Sequence, residues 1–199
     1  MRTIVFFDGE NLCHGAREAW APDPPVPKSP YGYPSYDVKK LAEALCAADP
    51  RRVLSQIRFC TGVPSPKQSA FWHGFWANKL RFLGSQGIYV YRGRINLGGQ
   101  EKGVDVSIAV DLLQLTYDRA YDTAIIVSQD WDLGPAVALS RKMAVAQGRT
   151  PVFQSAFVYE PGISYDRGIP GTGWIKIDRM LYDACRDYTD YRMRPPGAR

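Results

Sequence analysis

Two short apolar runs, each ending abruptly in polar and acidic residues, constrain this chain more than any other feature of its sequence. Residues 4–7 read Ile-Val-Phe-Phe and are followed by Asp8, and residues 123–127 read Thr-Ala-Ile-Ile-Val and are followed by a second polar turn. A continuous apolar run of this length is typical of a strand buried on both faces, as in parallel sheets. The chain is therefore expected to place a central sheet between layers of helices.

Segments with strand-like and helix-like patterning alternate along the rest of the chain. Apolar runs bounded by turn residues predict further strands at 56–60, 88–91, 151–158 and 174–177. Apolar residues at helical spacing predict helices within 12–20, 38–45, 68–83, 104–117, 134–148 and 180–188. Residues 104–108 also alternate like a strand, so both assignments stay open for that segment. Strands that alternate with helices favour an α/β fold, a three-layer α/β/α sandwich with a mainly parallel central sheet.

The length of 199 residues is suited to a single compact domain with a sizeable core. We expect that domain to span residues 1–190, with its core in 1–150 and a strand–helix extension in 151–190. Residues 191–199 form a basic tail that is expected to be disordered, and the proline-rich stretch within 12–35 is expected to form a surface loop. The N-terminal apolar run is too short for a signal peptide or a membrane span, so a cytoplasmic location without membrane contact is expected.

Charge and cysteine content narrow the range of partners. The chain has 25 Lys and Arg residues against 20 Asp and Glu residues, a formal net charge of +5. A positive charge steers polyanions and releases their counterions, but many basic proteins bind no nucleic acid. The cysteines have no metal-ligand spacing and are expected to be reduced structural thiols: Cys13, Cys46, Cys60 and Cys185.

Acidic residues follow both apolar strands and open a helix between them. Asp8 follows the first strand, Asp130 and Asp132 follow the second, and Asp105 lies in the first turn of the intervening helix. In open parallel sheets, ligands bind beyond the carboxyl ends of the strands. If the two strands are neighbours in the sheet, these carboxylates converge at one edge.

Asp105 is the least expected of these acids. At about 100° per residue it shares a helical face with Ala109 and Leu112, on the stripe that is expected to pack against the sheet. An unpaired buried carboxylate is costly, so either a cation such as Lys102 neutralises it or a divalent metal uses several such oxygens together. One acid alone favours the cation, whereas several converging acids favour the metal. Oxygen ligands suit Mg²⁺ or Mn²⁺, which activate water for the hydrolysis of phosphodiesters.

Three sequence blocks carry a resemblance to a known family. They are Val-Phe-Phe-Asp-Gly-Glu-Asn-Leu at 5–12, Lys-Gly-Val-Asp-Val-Ser-Ile-Ala-Val-Asp-Leu-Leu at 102–113, and Asp-Thr-Ala-Ile-Ile-Val-Ser-Gln-Asp-Trp-Asp-Leu at 122–133. In order and spacing, these blocks resemble the motifs of NYN domains, which belong to the PIN-like ribonucleases. The resemblance extends from the first strand to about Gly148, and the segment beyond residue 150 matches more loosely.

The resemblance implies a PIN-like fold and nuclease activity. It implies that carboxylates bind Mg²⁺ or Mn²⁺, with Asp8, Asp105 and Asp130 as ligands and Asp132 as a ligand or supporting group. It also implies that Asn11 and Ser128 orient water, the metal ligands or phosphate. RNA is the implied substrate, with single-stranded DNA as the alternative, and the implied reaction is hydrolysis by metal-activated water.

A basic, glycine-rich connection at residues 92–103 supplies candidates for phosphate binding. Arginine binds phosphate bidentately, and lysine acts as a point charge. Arg92, Arg94 and Lys102 are therefore candidates for contact with nucleic acid, although an ordinary solvated loop explains each residue equally well when it is taken singly.

The turn after the second apolar strand departs from the family pattern. Gln129 replaces a common glycine, Trp131 replaces a small residue, and Leu133 replaces a common phenylalanine. A bulky Trp131 beside the metal ligands either narrows the site or stacks on a base, so it is a further candidate for nucleic-acid binding. The same departures favour, as an alternative function, a catalytically inactive module of this fold that binds RNA or acts as an adaptor.

A different enzyme class is also compatible with these acids. Asp130 and Asp132 form a D-x-D after a strand and Glu10 follows another strand, which resembles Toprim-like or phosphotransfer enzymes. Aspartyl-phosphate enzymes place a second aspartate two residues after the nucleophile, whereas the residue two positions after Asp8 is a glutamate. A homo-oligomer or a regulatory protein partner is compatible with either enzyme class.

Other polar and aromatic groups have structural explanations. Asp111 is expected on a solvated face or in a salt bridge, and Asp122 in a turn or cap. An aromatic cluster recurs at helical spacing, which favours core packing over base stacking: Phe71, Trp72, Phe75 and Trp76.

Overall fold

A seven-stranded sheet organises the computed structural model, which describes residues 1–21 and 29–192. Its strands are β1 (Arg2–Asp8), β2 (Val53–Val63), β3 (Tyr89–Ile95), β4 (Glu101–Lys102), β5 (Thr123–Val127), β6 (Val152–Val158) and β7 (Gly173–Ile177). Their order across the sheet is β4-β3-β2-β1-β5-β6-β7, and neighbouring strands are parallel except for β3 with β4. The expectations for the prolines at 22–27 and for residues 193–199 of the tail fall outside the described residues. The start of the predicted disordered tail is wrong, because Tyr191 is buried in the core.

Helices cover both faces of this sheet. They are α1 (Gly9–Trp20), α2 (Val38–Ala47), α3 (Ala70–Ser85), α4 (Val104–Tyr117), α5 (Gly134–Ala146) and α6 (Arg179–Ala184). One core contains Val5 and Phe7 of β1 with residues of α1, α2, α3 and α6, and the other contains Ile4 and Phe6 with residues of α4 and α5. Successive side chains of a strand point to opposite faces, so β1 supplies both cores. The α/β/α sandwich predicted from the sequence is confirmed.

β1 lies between β2 and β5 and is parallel to both. Phe7 pairs with Val127 of β5, and Asp8 pairs with Cys60 of β2, so the carboxyl ends of these strands meet at one edge of the sheet. Apolar composition permits this central position, because all of β5 and all of β1 after Arg2 are buried. The two strands that carry the acidic turns are therefore neighbours, as the predicted acidic cluster requires.

The glycine-rich connection is shorter than the predicted 92–103, because both of its ends form strands. β3 continues to Ile95, and the chain then turns back so that β4 pairs antiparallel with its last residues, Glu101 opposite Ile95. Gly99 adopts a φ of +77°, which disfavours any residue with a side chain, and so permits the tight turn. The glycines close a short hairpin that extends the sheet.

Helix boundaries differ from the sequence-based expectations at both ends of the chain. α1 begins at Gly9, directly after β1, rather than near Leu12, because the Asp8 side chain caps it. α6 ends at Ala184 rather than near Tyr188. The alternative of a strand at the start of α4 is wrong, since this segment is helical from its first residue.

Two further expectations concern thiols and membrane spans. The four cysteines are free, as predicted: Cys13, Cys46, Cys60 and Cys185. Burial, with the charge of Asp111 next in importance, raises the pKa of Cys60 to about 12, so this thiol is a neutral packing group. Within residues 1–21 and 29–192, no helix combines the length and apolar character needed to cross a membrane.

The junction between β1 and α1 leaves no room for a side chain at Gly9. A methyl group added there would lie 2.6 Å from the ring tip of Phe59 and 3.3 Å from the carbonyl oxygen of Cys60. The Tyr36 hydroxyl donates a hydrogen bond of 3.0 Å to the Gly9 carbonyl oxygen. Glycine lets the helix start directly against β2, and this close approach holds Asp8 at the edge of the sheet.

We predict that Gly9→Ala lowers the free energy of unfolding by about 1–3 kcal/mol, because the added methyl group overpacks a buried contact. Gly84→Ala in α3 is the matched control, since a methyl group there meets no atom within 4 Å and alanine is favoured over glycine in helices. Urea unfolding of both variants measures the difference. A Gly9→Ala protein as stable as the wild type would contradict the packing argument.

Candidate metal centre

Asp8 is the most buried acid of the site. It is 4% exposed, its Oδ1 accepts a hydrogen bond of 3.0 Å from the backbone N–H of Asn11, and its Oδ2 accepts one of 3.3 Å from the Ser128 hydroxyl. Burial raises the pKa of Asp8 to about 7, with further contributions from the charges of Asp105 and Asp130. The two hydrogen bonds oppose this shift without cancelling it.

A hydrogen-bonded turn after β5 holds Asp130 and Asp132. The backbone N–H of Asp130 donates to the Ser128 hydroxyl oxygen at 3.0 Å, and the backbone N–H of Asp132 donates to Asp130 Oδ1 at 2.9 Å. Asp130 thereby caps the short 3-10 helix Trp131–Leu133. Ser128 is shared between the two acids, because it accepts a hydrogen bond from Asp130 and donates one to Asp8.

Asn11 links the ends of β1 and β5. Its side-chain oxygen accepts a hydrogen bond of 3.2 Å from the backbone N–H of Gln129, while its own backbone N–H donates to Asp8. The first turn of α1 is thus tied to the turn that carries Asp130. Gln129 takes part through its backbone, so its departure from the family's glycine leaves this contact intact.

Asp105 lies on a different face of α4 from the one predicted. The buried stripe of the helix is Val104, Ile108, Leu112, Leu115 and Thr116. Asp105 is exposed, so its predicted place on the packed stripe is wrong; the buried stripe shares Leu112 with the predicted one but passes through Val104 and Ile108 instead of Asp105 and Ala109. Partial burial of its carboxyl group, followed by the charges of Asp130 and Asp132, nevertheless raises its pKa. The acid on α4 therefore interacts with those after β5.

Protein cations do not compensate this negative charge. Among the described residues, no Lys or Arg side chain forms a salt bridge with Asp8, Asp105, Asp130 or Asp132. The alternative prediction, in which Lys102 neutralises Asp105, is therefore wrong. Gathered like charges without a counter-charge are costly, and at functional sites such an arrangement commonly accompanies ligand binding.

The structure adds Glu101 to the site and brings it close to Glu10. Glu101 on β4 accepts a hydrogen bond from the backbone N–H of Gly62 at the end of β2. Burial raises the pKa of Glu101 to about 9, with the charges of Glu10 and Asp8 next in importance. Sequence reasoning missed Glu101 because it follows a basic and glycine-rich run. The Gly-Gly pair at 98–99 was the signal, since it predicts a hairpin turn that folds Glu101 back towards β2.

The donor set fits a hard divalent cation held by few protein ligands. The candidate ligands are all carboxylates, whose oxygens Mg²⁺ and Mn²⁺ prefer. Among residues 1–21 and 29–192, no three His, Cys, Asp or Glu side chains are grouped closely enough to hold a metal ion together. Mg²⁺ usually keeps several waters and is held by one or two carboxylates plus substrate phosphate, so an open arrangement is compatible with this ion.

Arg92, Arg94 and Lys102 line one cavity on the hairpin side of the acids. This cavity has a volume of about 820 Å³ and also includes Gln68 and Ser65. Arg94 lies opposite Lys102 in the β3–β4 pairing, and the three basic side chains are exposed. The structure therefore brings together the basic residues that the sequence suggested as phosphate contacts.

Trp131 lines a different cavity, on the side of the acids away from the hairpin. It is 50% exposed, and the cavity of about 300 Å³ also includes Asn11, Asp130, Tyr165 and Arg167. The Arg167 guanidinium lies 4.5 Å from the centre of the Trp131 ring. Tyr165 and Arg167 were not candidates from the sequence, because nothing in their Gly/Pro-rich loop indicates that it returns to this turn.

Structural explanations for two other acids are confirmed. Asp111 pairs with Arg58 at 2.9 Å on the outer part of α4, which is the predicted salt bridge. Asp122 accepts a hydrogen bond of 2.8 Å from the backbone N–H of Arg2 and so closes the start of β1 against the start of β5. Neither acid belongs to the site.

The aromatic cluster of α3 packs mostly into the core, as predicted. Phe75 and Trp76 are each 7% exposed, and Trp72 is partly buried against the same core. Phe71 departs from the prediction, because it is 46% exposed at the start of the helix.

The chain matches a family model by sequence and a solved structure by fold. The family model described as the NYN domain matches residues 2–147. No curated protein is significantly similar to the chain. Among solved structures, the chain is similar to a protein of unknown function from Vibrio parahaemolyticus RIMD 2210633, with 18% identity, a TM-score of 0.58, and coverage of 89% of this chain and 93% of that one. At that identity, the likeness shows a shared fold alone.

The raised pKa of Asp8 predicts how stability depends on pH when divalent metal is removed by EDTA. The unfolded chain loses the Asp8 proton near the ordinary value of 3.8, whereas the folded protein keeps it up to about 7. Protonated Asp8 therefore makes its full contribution to the free energy of unfolding below about pH 4, and this contribution is lost as the pH rises through about 7. The free energy of unfolding should fall across that window by up to about 4 kcal/mol, at about 1.36 kcal/mol per pKa unit.

Asp8→Asn tests this pH dependence, because asparagine keeps the helix cap and removes the titrating group. We expect the variant in EDTA to show a flatter stability profile and to be more stable than the wild type near pH 8. Asp178→Asn, at the exposed cap of α6, is the control and should keep the wild-type profile. Guanidinium unfolding at a series of pH values measures these profiles, and identical slopes in wild type and Asp8→Asn would refute the assignment.

Proposed function

The chain belongs to the NYN domain family, and on that premise we propose that it is a Mg²⁺- or Mn²⁺-dependent nuclease that hydrolyses phosphodiester bonds, principally in RNA. The family places it among nuclease-type hydrolases of the PIN-like group. One observation carries the finer proposal: acids from β1, α4 and the turn after β5 interact with one another, and no Lys or Arg among residues 1–21 and 29–192 forms a salt bridge with them.

In this proposal Asp8, Asp105 and Asp130 hold the metal, Asp132 assists, and the ion draws the carboxylates together, since no three of the described acids are already grouped to hold one. The charges of Asp105 and Asp130 raise the pKa of Asp8, and the charges of Asp130 and Asp132 raise the pKa of Asp105. A divalent cation removes this repulsion and favours the ionised form of each carboxylate, so metal binding and deprotonation are coupled. We therefore expect metal affinity to rise with pH up to about 7, where Asp8 loses its proton.

The protein contributes positioning to the reaction. When bound, the metal supplies a water of lowered pKa and stabilises negative charge on the departing oxygen. Ser128 donates a hydrogen bond to the Asp8 carboxylate and accepts one from the backbone N–H of Asp130, which ties the turn that carries Asp130 to Asp8. Asn11 fixes the turn that carries Asp130 against α1. These contacts orient the ligand oxygens before the substrate arrives.

The basic cavity of the hairpin provides a place for the nucleic-acid backbone. Arg92, Arg94 and Lys102 are exposed and share that cavity next to Glu101, which interacts with Asp8. Phosphates bound there neutralise the charge of these three side chains and position the nucleic-acid backbone so that it passes the acids. Single-stranded DNA is the alternative substrate, since phosphate contacts do not distinguish it from RNA.

We predict that Asp130→Asn lowers metal-dependent cleavage of RNA at least about a hundredfold, which corresponds to about 2.7 kcal/mol of transition-state stabilisation. Asparagine keeps the cap of the 3-10 helix, so the fold is expected to be unchanged. Asp118→Asn, at the far end of α4, removes the same charge outside the site and should leave activity intact. Cleavage of mixed RNA and single-stranded DNA with Mg²⁺, Mn²⁺ or EDTA provides the measurement.

The same assay separates the competing functions. Unchanged metal-dependent cleavage by purified Asp130→Asn would sink the proposal. RNA binding that persists in EDTA, without cleavage in either metal, would favour the inactive binding or adaptor module. A trapped acyl-phosphate on Asp8 would favour a phosphotransfer enzyme.

A second prediction concerns the basic cavity. Arg94→Ala should weaken the binding of single-stranded RNA in a salt-dependent way, lowering the slope of log affinity against log salt by about 0.7 for one lost phosphate contact. Arg81→Ala, in the second half of α3 and away from the carboxyl ends of the strands, is the charge-matched control. Fluorescence anisotropy over a salt series measures both slopes. Equal slopes for Arg94→Ala and wild type would exclude Arg94 from the phosphate contacts.

A further inference from the structure

Two exposed aromatic rings lie beside the acids on the side away from the basic hairpin. The cavity there, of about 300 Å³, is lined by Asn11, Gln129, Asp130, Trp131, Tyr165 and Arg167. Trp131 is 50% exposed and Tyr165 is 72% exposed, whereas aromatic side chains are usually buried for most of their area. Exposed rings that border a polar cavity form a surface suited to stacking.

An arginine completes this surface. The Arg167 guanidinium lies 4.5 Å from the centre of the Trp131 ring and 5.5 Å from that of Tyr165. Within residues 1–21 and 29–192, no carboxylate forms a salt bridge with Arg167, and the adjacent Asp166 pairs instead with Lys176 at 2.7 Å. The cluster therefore has flat π surfaces and a positive charge that the protein does not neutralise.

The loop that carries Tyr165 and Arg167 is fixed to the acidic turn. Ile169 is fully buried, and its backbone N–H donates to the Ser155 hydroxyl at 3.2 Å. That hydroxyl donates in turn to the Ser128 carbonyl oxygen at 2.6 Å. The loop is thus hydrogen-bonded, through one serine of β6, to the residue that joins the two acids, which sets the aromatic cluster at a defined place beside them.

We propose that Trp131, Tyr165 and Arg167 form a subsite that stacks an unpaired nucleobase next to the metal centre, so that the substrate is single-stranded there. Stacking on aromatic rings and guanidinium planes accepts any base, and a base paired within a duplex is not free to enter. The Arg167 charge binds the adjoining phosphate. This inference rests on the proposed function for its substrate class, and it extends the site beyond the residues matched by the family model, 2–147.

The test compares two labelled probes of equal length and charge, an oligouridine strand and the same ribose-phosphate backbone without bases. Binding is measured in EDTA by fluorescence anisotropy, so no cleavage is required. The wild type is expected to prefer the strand with bases by about tenfold. Tyr165→Ala, Arg167→Ala and Trp131→Ala should each reduce that preference towards unity, while Arg81→Ala should retain it. Circular dichroism and thermal unfolding check that each variant is folded.

The outcomes separate this inference from the proposed function. A wild type without base preference, or folded variants that keep the wild-type preference, would overturn the stacking subsite even if the wild type cleaves RNA. Loss of the preference in the variants supports the subsite even if no metal yields cleavage, in which case the nuclease proposal fails alone. A duplex RNA that competes as well as oligouridine for the wild type would also overturn the subsite.

Discussion

The parallel pairing of β1 with β5 is the constraint on which the rest of this structure depends. Both strands are buried on both faces, so their polar residues are confined to the ends, and pairing brings those ends to one edge of the sheet. Asp8 caps α1 and Asp130 caps the following 3-10 helix. The same carboxylates therefore end the strands, start the helices and form the candidate metal centre, where helix N-termini favour negative charge.

That arrangement carries an electrostatic cost. Hydrogen bonds from Asn11 and Ser128 lower the pKa of Asp8, but burial and the nearby carboxylates raise it, and the net result is a pKa of about 7. Burial and repulsion thus outweigh the stabilising contacts when no cation is bound. Residues at functional sites commonly retain such unfavourable interactions, because the ligand that relieves them is what the site binds.

The flanks of the centre differ in chemistry. The β3–β4 hairpin presents arginines and a lysine along one cavity. The other cavity is lined by Trp131, in the turn after β5, and by Tyr165 and Arg167 of the loop between β6 and β7. The first flank lies within the residues matched by the NYN model, whereas the loop follows them. In our proposal, the metal chemistry therefore belongs to the family, whereas the selection of an unpaired base combines Trp131, within the matched residues, with Tyr165 and Arg167 of the C-terminal segment.

By itself, the sequence determined the layered α/β architecture, most of its helices and strands, and the candidate acids at the strand ends. These follow from local patterns: continuous apolar runs, helical periodicity and the residues that end them. Only the tertiary structure decided that Asp105 lies off the buried stripe, that Glu101 folds back beside Glu10, and that Arg167 lies over Trp131. Each of these depends on helix rotation, strand pairing or a loop anchored across the sheet. Such contacts join residues far apart in the chain and leave little trace in local patterning.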